Sequence, residues 1–303
     1  MIKDSHVRAF SHAALSPDPD LAVAALMIAR IEYPKLDAGP YLDLLDTIGR
    51  EAKRRVAEVS VDADAVPRHL DPEIYARVMA LNDYLFGELR FVGNDVQYED
   101  PRNSFLNEVL DRRTGIPITL ALIYMEVARR AGVHVEGINF PGHFLVRCPV
   151  RRGLLRSEDL IIDAHHGGAL LSHDACVKMY RKHFDGQDDA AVSESRLFAH
   201  ATKPQILARM LLNLKQVYVS MRSFPQARDV TELLIAVNPS ALTELRDRGL
   251  LAYHLKDFSA ALRDLQAYLR LSSKGEVDGE TREEHDQIWE HVKTLRKRVA
   301  SLN

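Results

Sequence analysis

Between Ile118 and Val127 the chain is apolar on nearly every side, a pattern that predicts a helix buried all round. Pro117 stands where the first turn would begin, the position at which a helix tolerates a missing N–H. Gly132 supplies the stop, and Arg129 and Arg130 before it suit the negative end of the helix dipole. Upstream, apolar positions are spaced for amphipathic helices. Leu21, Ala24, Ala25 and Ile28 make one face after Ser16-Pro17-Asp18, and Tyr41, Leu44, Leu45 and Ile48 make another after Pro34 and Gly39-Pro40 break the pattern. A third helix is expected from Pro72 to about Leu89, with Ile74, Val78, Leu81 and Leu85 inward. From Phe91 the chain turns loop-like, with turns at Gly93-Asn94 and Asp100-Pro101. Asn103 or Ser104 is then expected to cap a helix through Leu106, Val109 and Leu110, closed by Arg112, Arg113, Thr114 and Gly115.

After Gly132 the period changes from helical to alternating. One strand is expected to carry His143 and Leu145 on one face and Phe144, Val146 and Cys148 on the other. Leu160, Ile161 and Ile162 form the next and end in Asp163, with residues 151–159 as the hairpin loop and Gly167-Gly168 as the stop. Beyond Thr202 the pattern is helical and repeats: Phe224 and Phe258 lie 34 residues apart, as do Ala227 and Ala261. That is the period of the tetratricopeptide repeat, a helical hairpin with small residues where its helices touch. Ile288, Val292, Leu295 and Val299 give a last helix one apolar stripe. The fold class is α+β and mostly helical, in three parts: a helical N-terminal region over 1–98, a core over 99–198 whose small antiparallel sheet packs on the central helix, and tetratricopeptide-like helical hairpins over 199–303.

Composition narrows the function. At 303 residues, 46% hydrophobic and 27% charged, this is an ordinary globular chain, and a net charge of -3 carries no basic excess that would mark a nucleic-acid or membrane-surface binder. The first residues lack the features of a signal peptide, and no run approaches the roughly 18 apolar residues of a membrane span. Cytoplasmic localisation is therefore expected, with no nucleic-acid or membrane partner. Cys148 and Cys176 make neither a disulfide framework nor a zinc spacing, and are expected to be small buried hydrophobes.

The candidate chemistry rests on His143 and Asp163, which fall on neighbouring strands, so the carboxylate could orient the imidazole as a general base. The plainer alternative is a hydrogen-bonded pair in a partly buried hairpin. Thr119 places a hydroxyl in the first turn of the central helix, where it either serves as a nucleophile activated by His143 or satisfies first-turn amides. His143, His165, His166 and Asp163 also offer metal ligands. Adjacent His165 and His166 point apart on an extended chain, so at most one joins His143, and solvation in a loop explains the pair better. No metal and no cofactor are expected. Arg112 and Arg113 could hold an anion, although solvated or helix-terminal charges are their ordinary role.

Four stretches carry a resemblance: IARIEYPKLD at 28–37, LFGELRFVGN at 85–94, NSFLNEVLDRRTGIPITLALIYMEVARRAGV at 103–133 and GINFPGHFLVR at 137–147. In these the chain resembles the SirB-type transglutaminase-like proteins, an uncharacterised family with a helical N-terminal part, a transglutaminase-like (papain-like) core and C-terminal tetratricopeptide repeats. The resemblance implies that His143 stands for the superfamily's catalytic histidine and Asp163 for its triad acid. It also places the superfamily's cysteine near Ile118 or Thr119, where this chain has none. The expectation is a module lacking the nucleophilic cysteine that binds a protein or peptide partner through its repeat region. The alternative is an active amide or ester hydrolase, or an acyltransferase, using His143 and Asp163 with Thr119 or water as nucleophile.

Overall fold

The protein was analysed as a computed structural model, which describes residues 2–62, 64, 66–150, 158–183, 194–272 and 279–300. Two compact units emerge, one of Pro19–Met210 and one of Met1–Asp18 with Leu211–Asn303. Helix α1 (Asp4–Ala14) packs with the C-terminal helices, its Ser11 hydroxyl donating to the Ala236 carbonyl at 3.1 Å.

Within Pro19–Met210, α2 (Leu21–Ala29) starts at Asp20, whose carboxylate accepts from the Val23 amide at 3.0 Å. Helix α3 (Gly39–Glu58) follows, then α4 (Pro72–Asn82), capped by Asp71 through the amides of Glu73 and Ile74. The helix expected to reach Leu89 continues as a π-helical turn over Asp83–Glu88, and Val78, Leu81 and Leu85 are buried as expected. Strand β1 (Val92–Gly93), a short 3-10 turn (Pro101–Ser104), α5 (Leu106–Arg112) and β2 (Thr114–Gly115) lead to α6 (Pro117–Ala131). The helix-cap expectation at α5 is corrected. Phe105 holds the cap position without a side-chain bond, and Asn103 and Ser104 lie in the preceding turn, which Asp100 opens by accepting from the Arg102 amide.

Helix α6 is the buried centre of this unit, with Ile118 through Tyr124 all inaccessible, and Gly132 ends it in the left-handed region at φ 79°. Beside it runs an antiparallel sheet in the order β3 (Glu136–Ile138), β4 (Leu145–Cys148), β5 (Leu160–Asp163), β6 (Ala169–Leu171). Val146 pairs with Ile162, which pairs in turn with Leu170, so β6 adds a strand where the sequence shows only a stop. Most of the expected 151–159 hairpin loop lies outside the described residues. Helices α7 (His173–His183) and α8 (Glu194–Leu197) follow, and α9 (Lys203–Ser220) runs through the boundary of the two units.

In the second unit, α10 (Phe224–Val237) and α12 (Phe258–Ser272) begin at the two phenylalanines of the 34-residue period, with α11 (Leu242–His254) between them and α13 (Gly279–Ala300) last. Ala252, Ala261, Leu265, Tyr268, Ile288, Val292 and Leu295 form its core. Gly249 lets α11 approach α12, since a Cβ there would stand 2.7 Å from the Leu265 side chain.

Candidate functional site

Asp163 ends β5, and the chain then turns sharply through His165, His166, Gly167 and Gly168. Both glycines take positive φ, 66° and 77°, which only glycine adopts without strain. The turn is built on Asp163 itself: Oδ1 accepts from the His165 amide at 3.1 Å and the His166 amide at 3.3 Å. The same carboxylate takes two imidazoles, His143 Nε2 on Oδ1 at 2.9 Å and His166 Nδ1 on Oδ2 at 2.8 Å. Burial alone would raise the Asp163 pKa, but the bonds and positive potential of His143 and His166 outweigh it and hold the carboxyl at about 2. With Asp163 ionised, each ring donates from the bonded nitrogen, which leaves Nδ1 of His143 and Nε2 of His166 outside the bond.

His143 stands just ahead of β4, behind a turn in which its amide donates to the Phe140 carbonyl at 3.1 Å. The turn needs Gly142, at φ 70°, because a Cβ there would meet the His183 ring at 2.5 Å. The His143–Asp163 pair expected from the sequence is therefore brought together. His143 is 11% exposed at its side chain, and beside His166 a hollow of about 400 Å³ opens, lined by Tyr75, Asn82, Phe86 and Gly168. Asn82 secures that wall by donating to the Gly168 carbonyl at 2.7 Å. A larger cleft of about 860 Å³, lined by His69, Tyr75, Arg147, Leu171 and Phe198, contains neither member of the pair.

Thr119 is different. Its hydroxyl is fully buried, donates to the Asn103 carbonyl at 2.7 Å, and accepts from the Ile116 amide at 3.1 Å. All its hydrogen-bond partners are backbone groups, the arrangement of a residue that satisfies the start of α6. Both cysteines are free and buried, and burial pushes each thiol up to about 11. Arg112 reaches toward Asp100 at 3.7 Å and Arg113 lies over the Phe91 ring, while Nη1 of each guanidinium is buried without a hydrogen-bond partner.

The histidine pair also departs from expectation. A turn, not an extended chain, carries it, so both rings approach His143, with centroids 5.9 Å away for His165 and 5.8 Å for His166. Nor is His165 a solvated loop residue. Its side chain is 3% exposed, and Nε2 bonds Asp95 Oδ1 at 2.8 Å. Burial lowers its pKa, against the opposing pull of Asp95. Asp95 was missed because it lies in a loop 70 residues from its partner. The signal for the rest was Asp163-Ala164-His165-His166-Gly167-Gly168, in which an aspartate three residues before a histidine precedes two glycines.

A buried central helix, with His143 just ahead of β4 and Asp163 ending β5, is the layout of a transglutaminase-like core, and comparisons with known proteins agree. Residues 40–212 match the transglutaminase-like superfamily and residues 214–290 the tetratricopeptide repeat. A UPF0162 protein of Xylella fastidiosa is 39% identical over 253 residues, 83% of each chain. Another, of Pseudomonas aeruginosa, is 30% identical over 257 residues, covering 84% of this chain and 85% of the relative. F-box only protein 21 of Mus musculus is 32% identical over 193 residues, 61% of this chain and 29% of that protein. The chain belongs to the UPF0162 family, with a transglutaminase-like domain followed by tetratricopeptide repeats. No helix among the described residues is long and apolar enough to cross a membrane.

Proposed function

We propose that this chain, as a SirB-type member of its family, is a protein- or peptide-binding regulatory module whose transglutaminase-like core does not carry out acyl transfer. The observation that carries the reading is Thr119. At the start of the central helix, where the superfamily's chemistry calls for a thiolate, stands a hydroxyl that is buried and bonded to backbone on every side. An alcohol so placed can neither lose its proton to His143 nor reach a carbonyl carbon.

The repeat unit supports a partner surface. Between α12 and α13 a groove of about 750 Å³ is lined by Leu262, Leu269 and Trp289 with Arg263 and Arg296 at its edges. Trp289 is 45% exposed there, and an aromatic anchor flanked by guanidinium groups suits an acidic peptide segment. The second reading, hydrolysis with water activated by His143, has the intact His143–Asp163 bond in its favour.

One comparison separates the two. Wild type, His143→Ala and Trp289→Ala are assayed for binding of acidic peptides and for release of ammonia or alcohol from glutamine peptides and simple esters. The module reading expects binding retained by His143→Ala and weakened by Trp289→Ala, with no turnover by any. Turnover by wild type that His143→Ala abolishes would establish the hydrolase instead.

A further inference from the structure

We propose that Asp95, His165 and His166 form a binding site for a zinc-class divalent ion, beside the His143–Asp163 pair and joined to it through the His166–Asp163 bond. The proposal is independent of the peptide-binding reading. One ligand atom from each of the three side chains falls within 4.8 Å of the other two, and His165 Nε2 and Asp95 Oδ1 are already 2.8 Å apart. Two imidazoles and a carboxylate are a donor set that zinc takes in catalytic sites, with solvent in the fourth position. His166 is 59% exposed and held by Asp163, and Asp95 is 75% exposed, so the Asp95 side chain can move to bring the three ligand atoms toward roughly 3.4 Å, the ligand–ligand edge that zinc–nitrogen bonds of about 2.1 Å imply in a tetrahedron.

Three further features fit ion binding. First, Asp163 acts on His166 as an outer carboxylate: its bond to Nδ1 fixes the ring and its tautomer, leaving the Nε2 lone pair for a ligand. Second, His165 is held rigid. A Cβ on Gly93 would stand 2.5 Å from its Cε1 and 2.6 Å from its Nδ1, so the ring occupies space that only glycine leaves open. Third, Tyr98 packs edge-on against the same ring, with centroids 6.5 Å apart. Two chain segments, one before α5 and one after β5, therefore meet on one buried imidazole and present two exposed ligands beside it.

His143, Asp163 and His166 satisfy the same distance criterion. They form the weaker site, because the Asp163 oxygens already accept from two rings and two backbone amides. Binding an ion there would dismantle the turn that positions the histidines. Asp95 has one such bond to exchange.

The test is a zinc titration of the full chain against a chromophoric chelator, with cobalt absorption as the second readout. One equivalent is expected to bind, and cobalt is expected to give the intense visible bands of a tetrahedral site. Asp95→Asn and His166→Gln are each expected to weaken zinc by at least about tenfold. Both positions are exposed, and circular dichroism and melting without metal confirm that the variants fold. Gly93→Ala, which displaces His165, is expected to weaken zinc as well. Substoichiometric binding by wild type overturns the proposal, and so does zinc affinity unchanged in Asp95→Asn, which would place the ion on other histidines.

Discussion

Asp163 in the transglutaminase-like core and Asp264 in the repeat unit are buried alike, with side chains 3% and 4% exposed, yet their partners differ in kind. Asp264 takes a two-point bond from Arg248, Nε at 2.7 Å and Nη2 at 3.1 Å, and Arg248 continues to Glu232 at 2.9 Å. A guanidinium stays charged at every ordinary pH, so that network is a permanent tie from α11 to α10 and α12. Asp163 takes two imidazoles, each with a second ring nitrogen able to ligate a metal. The same buried carboxylate therefore serves as a tie to a guanidinium in one unit and as a mount for two imidazoles in the other.

The strongest way to break this comparison is Arg248→Ala. It leaves Asp264 buried with its two-point partner gone, and is expected to destabilise the protein by about 3–5 kcal/mol in urea denaturation. A loss below about 1 kcal/mol would show that the repeat unit does not depend on the tie. Next is Asp163→Asn, expected to cost roughly 2 kcal/mol at neutral pH, from a carboxyl held near 2 against its ordinary 3.8. The sign follows from linkage. A depressed carboxyl contributes stability that is complete above its ordinary pKa and is lost as pH falls from 3.8 toward about 2. The deficit of Asp163→Asn should therefore shrink across that interval. His165, depressed by burial, acts in the same direction at higher pH: its contribution is full above its ordinary 6.5 and declines as the solution is acidified below that value. Urea midpoints taken from neutral pH to acid should fall in two stages, and a flat profile between neutrality and 3.8 would remove the case for a buried neutral His165.

Thr119 comes third. Thr119→Val keeps the shape but strands the Ile116 amide and the Asn103 carbonyl, and is expected to lose about 1–2 kcal/mol, while Thr119→Ser should recover most of it. If the hydroxyl were catalytic, serine and valine would differ in turnover; here they are expected to differ only in stability.

How much of this was legible in the sequence depended on whether a residue's partner was local. The central helix was, because its start, apolar girth and stop all lie within Pro117 to Gly132. So was the repeat, whose phenylalanines mark the starts of α10 and α12. The His143–Asp163 pair could be read because Leu145–Cys148 and Leu160–Asp163 do pair as strands, although His143 itself stands in the turn just ahead of the first. Strand β6 was hidden because three residues are too few to show a period. The roles of His165 and Asp95 were hidden for a different reason. What decides them is Gly93, whose missing side chain makes room for a ring from a segment more than 70 positions away, and no pattern along the chain records that contact.

The smallest expected effect is the one that best sharpens the contrast between the two aspartates. His143 and His166 make equivalent bonds to Asp163, at 2.9 and 2.8 Å, but His143 is 11% exposed and His166 59%. Replacing His143 by alanine empties a packed position and leaves one Asp163 oxygen short of a donor, so about 1–3 kcal/mol should be lost. His166→Gln removes an exposed ring, and solvent can supply the lost donor, so stability should move by no more than about 0.5 kcal/mol. A histidine that holds almost nothing together, yet is fixed in rotamer and tautomer by a buried carboxylate, is placed for contact with something outside the chain. If His166→Gln instead destabilises as much as His143→Ala, both rings are structural ties, and Asp163 belongs with Asp264.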